Sequence, residues 1–152
     1  MRDVMELDAR DVRIFAYDHL IERGLPPTSR EIAAHFGVKP AEAQRTLREM
    51  KIGKTILPHP KTGEIWMAGP FASSPTEYKV AGRATHWFAN CAWDMLGVAV
   101  IVNEPVHIDA RCGDCGEEMS FDVDASNTEL ADDSVVHFLV PAARWYDDIG
   151  FT

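Results

Sequence analysis

The sequence has no long hydrophobic run and no recognisable export signal. Its longest uninterrupted apolar stretch covers residues 95–102, whereas a helix that spans a bilayer needs about 18 apolar residues or more. The first six residues, MRDVME, include three charged side chains, which is too polar a start for a signal peptide. We therefore expect a cytoplasmic protein that does not enter a membrane.

Basic side chains are scarce in the second half of the chain. Residues 81–152 hold 3 Lys and Arg against 13 Asp and Glu, whereas residues 1–80 hold 12 against 11. Affinity for a phosphate backbone comes largely from basic side chains, so the acidic half is poorly suited to nucleic acid. The net charge of −9 points the same way, and DNA is not an expected partner.

Cysteine is also rare, because the chain has only Cys91, Cys112 and Cys115. An odd number of cysteines in a chain without an export signal argues against a disulfide framework. All three thiols therefore remain available as nucleophiles or as metal ligands.

The residues that are present begin with a helix-turn-helix pattern. Apolar side chains recur at helical spacing over residues 7–23, and Gly24 follows as a stop. Thr28 to Glu31 read T-x-x-E, the form of a capping box, in which the hydroxyl and the carboxylate bind the first free N–H groups of a second helix. Pro40 then suits the first position of a third helix.

A predicted β-hairpin follows these helices, with strand-like runs at residues 55–57 and 65–67 and a glycine in the loop between them. Three helices and a hairpin are typical of a winged-helix domain, which we place at residues 1–69. Glu42 and Glu49 interrupt the basic residues of the third helix and would repel phosphate. We therefore expect this domain to be a scaffold and not a DNA-binding module.

The remainder of the chain is expected to form a second, smaller α+β domain. Residues 70–80 are rich in proline and serine and predict a linker, so this domain would cover residues 81–152. A knuckle, C-G-D-C-G at residues 112–116, is expected to join a hairpin. Apolar or alternating runs predict mixed or antiparallel strands at residues 106–110, 119–123 and 134–140.

One segment of this second domain combines a thiol and a carboxylate. A helix over residues 87–96 would place Cys91 and Asp94 on one face, with Cβ atoms about 5–6 Å apart, within reach of one small substrate. Trp87 and Trp93 would then be walls of the substrate pocket. The plainer alternative is a buried cysteine beside a capping carboxylate, since free cysteine packs as a small hydrophobe and tryptophans in such a segment commonly belong to the core.

The order of these features resembles the alkylmercury lyases, enzymes that cleave organomercurials. The resemblance runs from about residue 27 to residue 138 and is carried by Trp87, Cys91-Ala92-Trp93-Asp94, Cys112 and Val136-His137-Phe138. It implies protonolysis of a carbon–mercury bond, with Cys91 as the thiolate that binds mercury and Asp94 as the proton carrier. The chemistry is sound, because mercury is soft and prefers thiolate, and a carboxylate can accept the thiol proton and pass it to carbon.

The resemblance also implies a second catalytic cysteine just before the V-H-F strand, and this sequence has none there. The matching position falls on Asp133 or Ser134, and we expect Asp133 to line the pocket. Either lyase activity is lost or Cys112 or Cys115 supplies the second sulfur. Lyase chemistry requires no cofactor, and the expected partners are an organomercurial or other soft-metal compound as substrate and small thiols or thiol proteins as metal acceptors.

Two further functions fit the same residues. The first is a soft-metal binding protein without catalysis, which would hold Hg(II), Zn or Cu through Cys91, Cys112 and Cys115, since C-x-x-C is half of a four-ligand thiolate site. The second is a metal-responsive regulator, in which the winged helix would bind DNA and the cysteines would sense the metal. The sequence leaves open whether the chain is an active enzyme.

Overall fold

The computed structural model describes residues 7–124 and 134–150. Its helices are α1 (Ala9–Arg23), α2 (Ser29–Phe36), α3 (Pro40–Met50) and α4 (Ala92–Val102). Its strands are β1 (Ile56–Pro58), β2 (Ile65–Ala68), β3 (Phe71–Ala72), β4 (Lys79–Ala81), β5 (His86–Ala89), β6 (Val106–Arg111) and β7 (Glu118–Val123). Short 3-10 helices cover Lys51–Gly53 and Ala142–Asp147. The fold class is α+β, as the sequence predicted, and no helix in the described residues is long and apolar enough to cross a membrane.

The ends of the first two helices follow the predicted signals. The Thr28 amide donates to Glu31 Oε2 at 2.8 Å and the Glu31 amide donates to Thr28 Oγ1 at 3.2 Å, which completes the capping box of α2. Gly24 ends α1 in the left-handed conformation, with φ of 78°, where a residue with a side chain would be strained. Pro40 occupies the first turn of α3.

The seven strands form one antiparallel sheet in the order β1-β2-β3-β5-β4-β6-β7. Strand β4 lies between β5 and β6, because Val80 pairs with Trp87 on one side and with Ile108 on the other. Strand β3 pairs with both β2 and β5. The sheet therefore joins the first hairpin, β1–β2, to the cysteine-containing strands without a break.

The segment that was expected to be a linker contributes to this sheet. Residues 70–80 include β3 and the first two residues of β4. The domain boundaries and the winged-helix assignment stay predictions. What the structure places in the N-terminal part is three helices followed by the hairpin β1–β2.

Two secondary-structure predictions are wrong. Residues 86–89 form strand β5 instead of the start of a helix, because β3 and β4 bind it on both sides, and the helix begins only at Ala92. Residues 134–140 have irregular backbone instead of a strand. Val135 and Leu139 are exposed there, so this apolar run lacks the burial that a strand needs in order to pack.

Buried side chains connect α1 and α4 to the sheet. Trp87 of β5 is 2% exposed, and its indole N–H donates to the carbonyl of Leu20 in α1 at 2.8 Å. Val98 and Ala99 of α4 are fully buried, and this helix contacts β4, β5 and β6. These contacts hold the N-terminal end of α4 close to the end of β5.

Candidate active site

Cys91 and Asp94 lie together at the N-terminus of α4. Cys91 is the N-cap residue, with extended backbone at φ −153° and ψ 178°, and its carbonyl accepts the Met95 amide at 3.1 Å. Asp94 stands in the first turn of the helix. The Cys91 and Asp94 side chains are near enough for each to influence the pKa of the other, so the structure brings together the two residues expected to be catalytic.

The environment of Cys91 keeps its proton on the sulfur. Burial raises the pKa of the thiol, and the negative charge of Asp94 raises it further. The N–H groups of Asp94 and Trp93 face the sulfur and lower its pKa, although they make no full capping hydrogen bond with it. The thiol is therefore protonated near neutral pH until something displaces the proton.

Asp94 is half-buried, and burial raises the pKa of its carboxyl group. Hydrogen bonds from Asn90 and Cys91 lower that pKa and oppose the effect of burial. The Asn90 side-chain amide donates to Asp94 Oδ2 at 3.1 Å. A carboxylate with a raised pKa holds a proton more readily, which suits a group that must accept one and pass it on.

Asn90 contacts Asp94, and Tyr17 is near enough for the charge of Asp94 to affect its pKa; neither residue was found by sequence reasoning. Asn90 also donates from its side chain to the Phe71 carbonyl at 3.3 Å. The Tyr17 hydroxyl donates to the Gly69 carbonyl at 2.6 Å; burial raises the pKa of Tyr17, and the charge of Asp94 acts in the same direction. Asn90 adjoins Cys91 in sequence and could have been suspected, whereas Tyr17 comes from α1 and carries no local signal.

The two tryptophans expected in the pocket lie in different surroundings. Trp87 is a core residue bonded to Leu20. Trp93 is 57% exposed, and its ring lies 6.3 Å from that of Phe138. Phe138 in turn lies 5.1 Å from the Trp145 ring. Trp93 is thus placed at the surface beside Cys91, next to the segment that follows residue 133.

The remaining predicted site residues are placed apart from Cys91 or lie outside the described residues. Cys112 and Cys115 occupy the loop between β6 and β7, Cys112 half-buried and Cys115 exposed. Backbone N–H groups of Cys115 and Asp114, together with the Cys115 side chain, lower the pKa of the Cys112 thiol. Asp133 falls outside the described residues.

A site built from all three thiols is not formed in this structure. Within residues 7–124 and 134–150, no three His, Cys, Asp or Glu side chains are grouped so that they could hold a metal ion. The structure therefore presents a thiol–carboxylate pair at α4 and a thiol pair at the β6–β7 loop.

Comparison with known proteins agrees with the resemblance seen in the sequence. The family model MerB, described as alkylmercury lyase, matches residues 71–151. A solved structure, the mercury-bound form of MerB2, shares the fold with a TM-score of 0.59 at 19% sequence identity. The match covers 76% of this chain and 57% of that chain, so the present chain spans little more than half the length of that relative. No curated protein matches the sequence.

The matched region contains Cys91, Asp94, Cys112 and Cys115, and it accounts for more than half of the chain. The chain belongs to the alkylmercury lyase family.

Proposed function

We propose that this protein cleaves carbon–mercury bonds by protonolysis, with Cys91 as the mercury-binding thiolate and Asp94 as the proton carrier. The observation that carries the proposal is the placement of Cys91 and Asp94 at the N-terminus of α4, as the N-cap residue and a first-turn residue, where each influences the pKa of the other. This pair lies inside the region that matches the alkylmercury lyase family. A half-buried thiol beside a half-buried carboxyl group supplies one soft ligand and one proton site at the same place.

The first step joins sulfur to mercury. An organomercurial R–Hg–X binds at Cys91, the new S–Hg bond forms, and the anion X⁻ leaves. The thiol proton passes to the Asp94 carboxylate, whose charge already acts on the sulfur. Because thiolate is a soft donor, it binds mercury strongly and increases the electron density on the attached carbon.

The second step breaks the carbon–mercury bond. The Asp94 proton is transferred to the carbon, the electron pair of the C–Hg bond forms the new C–H bond, and the hydrocarbon R–H leaves. Hg(II) stays on the Cys91 sulfur with the Asp94 carboxylate beside it. Asn90 holds Asp94 Oδ2 at 3.1 Å and so keeps the carboxyl group oriented towards the reacting carbon.

The test is the release of benzene from phenylmercuric acetate in the presence of excess small thiol. We expect turnover by the unaltered protein, and loss of turnover in Cys91→Ser and in Asp94→Ala. Asp18→Asn is a suitable control, because Asp18 is an exposed carboxylate on α1 and has no part in the proposed steps. Absence of benzene release by the unaltered protein would reject the proposal.

A second candidate function is soft-metal binding without catalysis. It is favoured by the pair of thiols at the β6–β7 loop, which lies outside the Cys91 pair and offers sulfur ligands of its own. This function predicts that the protein retains Hg(II) but releases no hydrocarbon from phenylmercuric acetate. The same assay therefore separates the two candidates.

A further inference from the structure

The loop between β6 and β7 holds two cysteines in a closed turn. The Cys112 amide donates to the Glu117 carbonyl at 2.8 Å, and the Gly116 amide donates to the Cys112 carbonyl at 2.9 Å. Gly116 has φ of 74°, which lets the chain reverse within this short loop. The backbone N–H groups of Cys115 and Asp114, together with the Cys115 side chain, are near enough to the Cys112 sulfur to lower the pKa of its thiol. The fold therefore places two thiols side by side at an accessible position.

Strands β5 and β6, which precede Cys91 and the thiol pair, both end at the same end of the sheet. Strand β4 lies between β5 and β6, and the residue that precedes it, Tyr78, accepts the Ala89 amide of β5 at 2.9 Å. On the other side the register of Lys79 with Asp109 puts Tyr78 level with Ala110 of β6. Ala89 of β5 and Ala110 of β6 are therefore both level with Tyr78. Cys91 comes two residues after Ala89, and Cys112 comes two residues after Ala110.

The half-buried side chain of Tyr78 is near both sulfur sites. The charges of Cys91 and of Cys112 both act on this phenol. Since neighbouring strands lie about 4.7–4.9 Å apart, β5 and β6 are separated by roughly 10 Å across β4. The two sulfur sites are thus separated by the width of one strand, and the ion passes between them when the Cys112 side chain approaches mercury on Cys91.

We propose that Cys112 and Cys115 form a two-sulfur site that accepts the Hg(II) ion left on Cys91; the transfer rests on the function proposed above. Soft ions such as Hg(II) and Cu(I) are stable with two thiolate ligands. A two-ligand site also agrees with the lack of any three-ligand cluster among the described residues. The site gives this chain a second and a third sulfur for the ion, although neither residue 133 nor residue 134 is a cysteine.

The transfer is a thiolate exchange without oxidation or reduction. The Cys112 thiolate attacks Hg(II), and the Cys115 thiol forms the second S–Hg bond as it loses its proton. The Cys91 sulfur leaves mercury and takes up that proton. The products are a Cys112–Hg–Cys115 bridge and a regenerated Cys91 thiol, and atoms and charge balance because the anion X⁻ already left when mercury bound to Cys91.

The binding step is tested with mercuric chloride alone, in the Cys91→Ser protein, so that lyase chemistry is not involved. The protein is fully reduced, its thiols are counted, and it is equilibrated with mercuric chloride in the presence of excess glutathione. We expect one retained Hg(II) per chain. Removal of either remaining thiol, in C91S/C112S or C91S/C115S, should weaken retention about 10²–10⁴-fold, because the second sulfur no longer adds its effective concentration.

The control for this measurement is C91S/M119L. Met119 carries the nearest additional soft sulfur in sequence, on β7, and it is half-buried. We expect this variant to retain mercury as C91S does. Loss of retention in C91S itself, or equal retention in C91S and C91S/C112S, would overturn the two-sulfur site.

The transfer step is tested by the amount of benzene released without any added thiol. The unaltered protein should release about two benzene molecules per chain, because the first Hg(II) moves to the loop and frees Cys91 for another turnover. The C112S/C115S protein should release about one. Equal yields from the two proteins would overturn the transfer. Absence of benzene from both would reject the lyase function, and the mercuric chloride measurement would still decide the two-sulfur site.

Discussion

The N-terminus of α4 and the loop between β6 and β7 each hold a cysteine, Cys91 and Cys112, and the pKa values of the two thiols are shifted in opposite directions. At α4 the Cys91 sulfur is half-buried beside a carboxylate, and burial raises the pKa of its thiol. At the loop, the backbone N–H groups of Cys115 and Asp114 lower the pKa of the Cys112 thiol. The difference shows that burial and hydrogen bonding, not the identity of the residue, decide which thiol keeps its proton.

This contrast suits two separate tasks. A thiol that keeps its proton near a carboxylate can deliver that proton to carbon when mercury binds. A thiol that readily forms thiolate is better suited to take up a soft ion that is already released. The predictions below test whether the two places are in fact divided in this way.

The largest expected effect concerns the carboxyl group of the first site. Asp94→Asn should lower the rate of benzene release with excess thiol by about 10²–10⁴-fold, the usual contribution of a positioned proton carrier. Cys112→Ser should change the same rate less than about threefold, because excess thiol replaces the loop as the metal acceptor. Comparable losses in both variants would remove the division between proton delivery and metal uptake.

A smaller effect is expected in thiol reactivity. At neutral pH, Cys112 should react with iodoacetamide faster than Cys91, because the thiolate is the reactive form and the pKa of the Cys112 thiol is lowered whereas that of Cys91 is raised. Peptide mass spectrometry after brief labelling gives both rates in one sample. Faster labelling of Cys91 would reverse the contrast between the two places.

The smallest effect is on stability and depends on pH. The pKa of Asp94 is raised in the folded protein from its ordinary value of 3.8, so the folded state favours the protonated carboxyl group. This contribution is fully present below the unfolded pKa and is lost as the pH rises through the folded pKa. Asp94→Asn should therefore gain stability relative to the unaltered protein as the pH rises from below 3.8 to neutral.

Urea denaturation at a series of pH values measures this difference in the free energy of unfolding. Asp18→Asn controls for the removal of one negative charge from an exposed position. A difference between Asp94→Asn and the unaltered protein that does not grow with pH would contradict the role of burial at Asp94.

Local signals predicted the parts of the fold that depend on neighbours in sequence. The T-x-x-E pattern gave the cap of α2, and the alternation of residues 106–110 gave β6. The thiol and the carboxylate of the candidate site were predicted to share one face of a helix over residues 87–96; in the structure Cys91 is the extended N-cap of α4 and Asp94 lies in its first turn.

The parts that failed depend on partners distant in sequence. Residues 86–89 form a strand because β3 and β4 bind both of its edges, a condition that the tryptophan-rich segment itself does not reveal. Tyr17 of α1 and Tyr78, which precedes β4, are both near enough for site residues to affect their pKa values. Their positions follow from the order of strands in the sheet, which no local pattern specifies.

The position of β4 between β5 and β6 has a practical consequence for dissecting the molecule. A half-molecule that begins at residue 81 would lose most of β4. Strands β5 and β6, which precede the reactive sulfurs, would then no longer be joined by the strand that lies between them. Such a fragment should neither hold the sulfurs in register nor pass an ion between them. Biochemical work on either cysteine site therefore needs the helices and the first hairpin to remain attached.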